Sequence, residues 1–261
     1  MFVDSHCHLN FPDYAQTLDQ VRADMAAAQV TKALCISTTL EEFPQVQALA
    51  QRYDNFWATV GVHPDNEGVR EPSVDELVEL SRLPRVVGIG ETGLDYYRLD
   101  GRSVADMAWQ RERFRVHIRA ARQTGLPLVI HTREASEDTL AILREEGQGQ
   151  VRGVFHCFTE TEYVARAALE LGFYISFSGI LTFKNAVALR EVARMVPLER
   201  CLIETDSPYL APTPHRGKTN SPAYVALVAR QLAELKGCDE AEIGRATSDN
   251  FAHLFSLVER G

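Results

Sequence analysis

Nine acids and histidines, Asp4, His6, His8, His63, Glu91, His131, His156, Glu204 and Asp206, are scattered along this chain, yet each stands at the downstream end of a short apolar run. If those runs are strands of one sheet, their ends converge and the nine residues form one pocket suited to metal. In an extended strand, residues i and i+2 face the same way, so His6 and His8 can chelate one ion while Cys7 points aside. Asp4, one step deeper on that face, is placed to orient a ligand histidine. Glu91 ends GIGE, His131 ends PLVIH and His156 ends GVFH. A carboxylate in the middle can bridge two cations, with His6 and His8 on one and His131 and His156 on the other. Two ions so held, about 3.5 to 4 Å apart, activate water and stabilise a displaced oxygen. Asp206 follows CLIET and suits a ligand that also takes the proton of the attacking water, with Glu204 supporting it from beneath. The competing use of Asp206 is a helix N-cap before SPY.

His63 is surplus to two metal shells. With Arg133, His215 and Arg216 it can grip an anionic substrate, because cationic donor forks match phosphate geometry. Arg216 and Lys218 read equally well as solvated loop charges. His117 and His253 fall inside helical stretches and read as structural. Taken singly, each histidine is as readily a hydrogen-bonded core residue; the ordered set argues for metal.

The elements that must position these residues are legible as eight apolar segments, FVDSH, KALCIST, FWATVGVH, RVVGIGE, PLVIH, RGVFH, FYISFSG and CLIETD, beginning near residues 2, 32, 56, 85, 127, 152, 173 and 201. Stretches of helical periodicity separate them, such as Leu18, Val21, Met25 and Ala28, or Phe114, Ile118 and Ala121. Apolar strands alternating with amphipathic helices imply a parallel sheet covered by helices, and eight repeats suggest closure into a (β/α)8 barrel, an α/β TIM barrel. An open doubly wound sheet is the alternative, but such a sheet gathers its site at one switch point, whereas here chemical residues follow at least six strands. Segments 64–73 and 207–222 read as functional or irregular loops. A last helix is expected from Glu240 to about Val258. With no long linker, residues 1–261 read as a single domain, a length common among α/β barrels.

Bulk composition is that of an ordinary globular protein, with 45% hydrophobic and 24% charged residues. No apolar stretch approaches the roughly 18 residues of a membrane helix, and MFVDSHCH lacks the regions of a signal peptide, so a cytoplasmic protein with no membrane partner is expected. Five cysteines without CxxC spacing read as reduced thiols. The net charge of −9 speaks against a passive nucleic-acid binder. It leaves a nucleic-acid enzyme open, since bound cations reverse the sign of an acidic pocket. No GxSxG or GxxxxGK is present, which removes the main signals for serine hydrolases and P-loop enzymes.

The ordered motifs FVDSHCHLN, GIGETGLDYY, PLVIHTREASED, HCF and IETDSPYLAP, followed by PHRGK, resemble the TatD-like metal-dependent hydrolases from residue 2 to about residue 250. The resemblance implies a (β/α)8 barrel of the amidohydrolase type, a divalent metal centre and deoxyribonuclease activity, in some members as an exonuclease working from the 3′ end. On matching positions it makes His6, His8 and Asp206 ligands of one ion, His131 and His156 ligands of the other, and Glu91 the bridge. Where the family often carries a basic residue after PHRGK, this chain has Thr219. The expectation is a deoxyribonuclease using two divalent ions, with a nucleic acid, DNA first, as substrate and a monomer as a compatible state. Imidazole-rich ligation favours Zn, Mn or Fe, and the family is linked to Mg, so Mg, Mn and Zn all stand. The same chemistry would attack a carbonyl, leaving a hydrolase of esters such as D-aminoacyl-tRNA, or of small lactones or amides, as the alternative. A non-catalytic scaffold with a structural metal site is the reading from a different class.

Overall fold

The computed structural model describes residues 1–257. Its eight strands are β1 (Phe2–Cys7), β2 (Val30–Cys35), β3 (Phe56–Val60), β4 (Val86–Asp95), β5 (Leu128–Arg133), β6 (Gly153–Phe155), β7 (Tyr174–Phe177) and β8 (Cys201–Ile203). Each pairs in parallel with the next in chain order, and no reversal of order creates a switch point. Between and after them lie α1 (Leu18–Ala27), α2 (Phe43–Arg52), α3 (Val74–Leu80), α4 (Ala108–Thr124), α5 (Ser136–Gly147), α6 (Glu162–Glu170), α7 (Val187–Met195), α8 (Val225–Lys236) and α9 (Glu240–Leu254). The architecture is a (β/α)8 barrel, not an open sheet. The expected helix end at Val258 lies outside the described residues.

The strands are apolar on both faces because one face meets the helices and the other the barrel interior. Val3, Leu34, Ile36, Val129, Val154 and Leu202 form an inner cluster, joined by Phe251, Leu254 and Phe255 from the end of α9. Gly244 of α9 lies against Met1, and Phe255 lies against Gly88, so this helix covers the barrel where β1 and β4 begin. The opposite end, where the strands finish, is left for the site.

The seam between β8 and β1 is drawn together just past the end of β8. The Asp206 N–H donates to the His6 carbonyl at 2.9 Å, the His8 N–H donates to the Ser207 carbonyl at 2.9 Å, and Cys7 bridges Ser207. Two strands also carry an irregularity directly before a chemical residue. Residues 4 to 7 of β1 face 33 to 35 of β2, and residues 89 to 92 of β4 face 128 to 130 of β5, so each strand holds one extra residue. Such a bulge breaks the strict alternation of a strand and re-aims the side chains beside it. Farther along β4, Gly93 sits opposite His131 with φ +137°, and a Cβ there would come within 1.9 Å of the His131 carbonyl oxygen. Only glycine lets β4 run this close to the strand that presents His131.

Candidate metal centre

Glu91 is almost wholly buried, and its two oxygens face different partners. Oε2 lies 3.2 Å from His6 Nε2 and 4.0 Å from His8 Nε2. Oε1 lies 2.8 Å from His156 Nε2, 3.3 Å from His131 Nδ1 and 3.2 Å from His63 Nε2. Asp206 completes the first side, its Oδ1 3.3 Å from His8 Nε2 and 3.5 Å from His6 Nε2. His6, His8, Glu91, His131, His156 and Asp206 are thus brought to one spot.

Supporting contacts determine which ring nitrogen offers a lone pair. The His156 Nδ1 lies 3.1 Å from Glu204 Oε1, and the His131 Nε2 lies 2.9 Å from Asp95 Oδ2. Each carboxylate holds the imidazole N–H on its own side, so the opposite nitrogen, facing Glu91, is the one that can give its lone pair to a cation. His63 differs. Its Nδ1 accepts from the Asp65 N–H at 3.0 Å, so the neutral ring carries its proton on Nε2, the atom that faces Glu91. His63 therefore touches the cluster as an N–H donor, closer in than a substrate contact on the rim. His6 and His8 are oriented by stacking, His6 on His156 with centroids 3.8 Å apart and His8 on Phe11 at 4.8 Å.

Three positions differ from the sequence reading. Asp4 does not touch an imidazole: its carboxylate accepts from the Thr205 N–H at 2.9 Å, the Thr205 hydroxyl at 2.6 Å and the His6 backbone N–H at 3.3 Å. It braces the seam beside Asp206 instead, because the register of β1 shifts between Asp4 and Cys7 and breaks the alternation that would align Asp4 with the histidines. Burial pushes its carboxyl up to about 8, against those hydrogen bonds. His215 and Arg216 stay outside the pocket: His215 stacks on Tyr224 at 4.1 Å and the Arg216 guanidinium lies 3.5 Å over Phe183. Asp95, on His131, is a residue of the cluster that the sequence reading did not place there. Glu91, Gly93 and Asp95 share strand parity, so the alternation applied to His6 and His8 also points to Asp95. Gln110 of α4 fixes it there through both backbone groups, at 2.9 and 3.0 Å.

The electrostatics of this cluster favour a cation. Burial alone would raise the carboxyls of Glu91 and Asp206, but the surrounding imidazoles hold Glu91 well below the usual range and Asp206 below it. Burial alone would likewise lower the histidines, as it does His6 and His63. Glu91 and Glu204 nevertheless drive His156 well above its ordinary value, and Asp95 with Glu91 raises His131. Buried ionised carboxylates thus demand positive charge from a ring of nitrogens that converge within metal-binding distance. Three overlapping sets have ligand atoms within 4.8 Å of one another: His6, His156 and Asp206; His6, His8 and Glu91; His63, Glu91 and His131. The donor set of imidazole and carboxylate fits divalent ions.

The centre forms the floor of an open cavity of about 700 Å³. Arg98 and Arg133, from the segment after β4 and the end of β5, line it, as do Phe11, Ile180, Tyr209 and Leu210 from the segments after β1, β7 and β8. Among the described residues, no helix is long and apolar enough to cross a membrane.

A ligand cluster of this kind at the downstream end of a (β/α)8 barrel defines a metal-dependent hydrolase, and known sequences and structures agree. Residues 3–256 match the family described as TatD related DNase, and the chain belongs to that family. It is 49% identical over 259 residues to the uncharacterized metal-dependent hydrolase YcfH of Escherichia coli K12, covering 98% of this chain and 96% of that one. A Citrobacter rodentium protein named 3′-5′ ssDNA/RNA exonuclease TatD is 35% identical over 261 residues, covering 98% of each. Among solved structures, the TatD homologue YJJV of Escherichia coli K12 superposes with a TM-score of 0.90 at 29% identity, covering 98% of both chains.

Proposed function

We propose that this hydrolase cleaves phosphodiester bonds at the unpaired end of a nucleic-acid strand, DNA foremost and from the 3′ end, using two divalent ions. The observation that carries this reading is Glu91, whose two oxygens face two separate nitrogen sets at the floor of a cavity edged by Arg98 and Arg133. The buried floor suits a strand end better than a continuous duplex. A related protein named as an exonuclease on single-stranded DNA and RNA supports the same substrate class.

His6, His8 and Asp206 would hold one ion, His131 and His156 the other, and Glu91 would join them. Bound there, Mg, Mn or Zn would supply Lewis acidity toward the phosphoryl oxygen and toward water. The chain's own contribution is positional. Asp206 is held below the usual carboxylate range by the neighbouring imidazoles and keeps 16% of its side chain exposed, so its carboxylate can accept the proton of the attacking water. His63 directs its Nε2–H at the reacting centre and can donate to an oxygen of the substrate. Arg98 and Arg133 lie in reach of the phosphates beyond the cleaved bond. Glu204 and Asp95 hold His156 and His131 in the tautomers that face inward.

Plasma mass spectrometry of metal content, with hydrolysis of 3′-labelled single-stranded DNA after adding back Mg, Mn or Zn, tests the reading. Wild type should bind metal and release nucleotides, and Glu91→Ala should lose both properties. Wild type lacking nuclease activity with all three metals while deacylating D-aminoacyl-tRNA would move the assignment to ester hydrolysis. Unchanged turnover in Glu91→Ala would remove the bridge.

A further inference from the structure

The mouth of the cavity is asymmetric in a way that the metal centre does not explain. Taken around the barrel, Arg98 and Arg133 come from the segments after β4 and within β5, whereas Phe11 and Tyr209 come from the segments after β1 and β8. In an eight-stranded ring these two sectors are diametrically opposed, so a cationic edge faces an aromatic edge across the ligand floor. Many of the chain's arginines pair with carboxylates, as Arg70, Arg102, Arg113 and Arg119 do. Arg98 and Arg133 stand outside such pairs among the described residues, and Arg133 rests on Tyr97 with its guanidinium 3.5 Å from the ring centre.

The aromatic edge is rigid at its backbone and open at its rings. Tyr209 is 56% exposed. Its N–H donates to the Asp206 carbonyl at 3.0 Å and its own carbonyl accepts from Asn220 Nδ2 at 2.6 Å, which pins it three residues beyond the proton acceptor. Phe11 meets it edge-on with centroids 6.2 Å apart, and Phe11 in turn stacks on His8. An aromatic wall thus runs continuously from the ligand ring His8 to the solvent. Leu210 and Ile180 extend it with apolar surface.

We infer that this wall is a base subsite: the nucleobase of the strand's terminal nucleotide packs on Tyr209 and Phe11 while the phosphates behind it reach Arg98 and Arg133. The inference rests on the phosphodiesterase reading and adds to it the chemistry that selects the substrate, an end bearing an aromatic base. A cavity of about 700 Å³ accommodates a group of nucleotide size. Stacking on a tyrosine tolerates all four bases, since every base offers a π face, and predicts weak preference among terminal nucleotides.

The test compares two 5′-labelled oligonucleotides, one ending in a normal 3′ nucleotide and one ending in an abasic tetrahydrofuran nucleotide, with metal-loaded wild type, Tyr209→Ala and Tyr209→Phe. Loss of the base should lower wild-type kcat/KM for the first cleavage by about 10- to 100-fold. In Tyr209→Ala the two ends should be cleaved at nearly equal rates, and Tyr209→Phe should restore the difference. Fluorescence anisotropy with Asp206→Asn protein supplies a readout independent of turnover: adding Tyr209→Ala should weaken binding of the base-bearing end toward that of the abasic end. Equal treatment of the two ends by wild type, or a full penalty retained in Tyr209→Ala, overturns the base subsite and leaves the nuclease reading standing. Absence of cleavage of every oligonucleotide with Mg, Mn and Zn overturns the nuclease reading and the subsite with it.

Discussion

His117 should make this protein sensitive to mild acid through a mechanism separate from its chemistry. The ring is fully buried on α4; its Nδ1 lies 2.8 Å from the Arg113 carbonyl and its Nε2 accepts from the Val62 N–H at 3.0 Å. Both nitrogens are used by a neutral imidazole, so a second proton would set a donor against the Val62 N–H. Burial, with the nearby Arg113 charge, lowers its pKa from 6.5 to about 4, against the hydrogen bond to the Arg113 carbonyl. Above pH 6.5 the ring is neutral whether the chain is folded or not, and its stabilising contribution is complete. Below that value the unfolded chain binds a proton that the folded chain refuses until about pH 4, so stability falls with pH across this window. At about 1.4 kcal/mol per pH unit, the loss is about 3 kcal/mol. Urea unfolding of chelator-treated wild type and His117→Gln at several pH values measures it. The other histidines titrate alike in both proteins, so the wild-type advantage should shrink by about 3 kcal/mol between pH 7 and pH 4. An advantage that stays constant over that range would refute the neutral, doubly bonded imidazole. The consequence reaches the site, because Val62 precedes His63, whose N–H is itself held by the Thr38 carbonyl at 2.8 Å.

Replacing Asp206 with Asn should lower kcat by about 10²- to 10⁴-fold while the protein stays folded by circular dichroism; a near wild-type rate would remove it as proton acceptor. Glu204→Gln and Asp95→Asn should each weaken metal binding by about 10- to 100-fold in chelator competition, since each holds one ligand imidazole by its far nitrogen. Arg133→Ala should weaken single-strand binding uniformly across sequences and reduce the slope of log affinity against log salt by about one, and Arg216→Ala should leave that slope unchanged. Equal effects of the two substitutions would contradict the placement of Arg216 over Phe183.

The barrel was legible because each strand is a short apolar run buried on two faces, bounded by turn residues. Expected starts near 2, 56, 85, 127, 152, 173 and 201 fall within a residue of those observed, and β2 begins at Val30 where Lys32 was expected. The six ligand candidates were legible for the same reason: a residue at a strand end inherits its position from the strand. Other parts required information that no local pattern carries. The β1 bulge moved Asp4 from the imidazoles to Thr205, and a single extra residue leaves little trace in a hydrophobic pattern. Strand β4 continues past Glu91 to Asp95 because Gly93 permits close approach to β5, which extends the strand into a stretch that reads as loop. His215 and Arg216 lie in an irregular segment whose path is set by packing against Tyr224 and Phe183. The role of His63 depends on a hydrogen bond from the Asp65 backbone, two residues away and invisible to residue type.

The seam at β8 and β1 also orders events in time. His6 and His8 lie far upstream of Asp206 in the chain, and the backbone bond from Asp206 to the His6 carbonyl forms only when the sheet has come full circle. A partly unfolded chain therefore has an incomplete ligand set and no enclosed floor. Hydrolytic competence and completion of the fold become the same event, so a loosely formed chain carries no assembled centre.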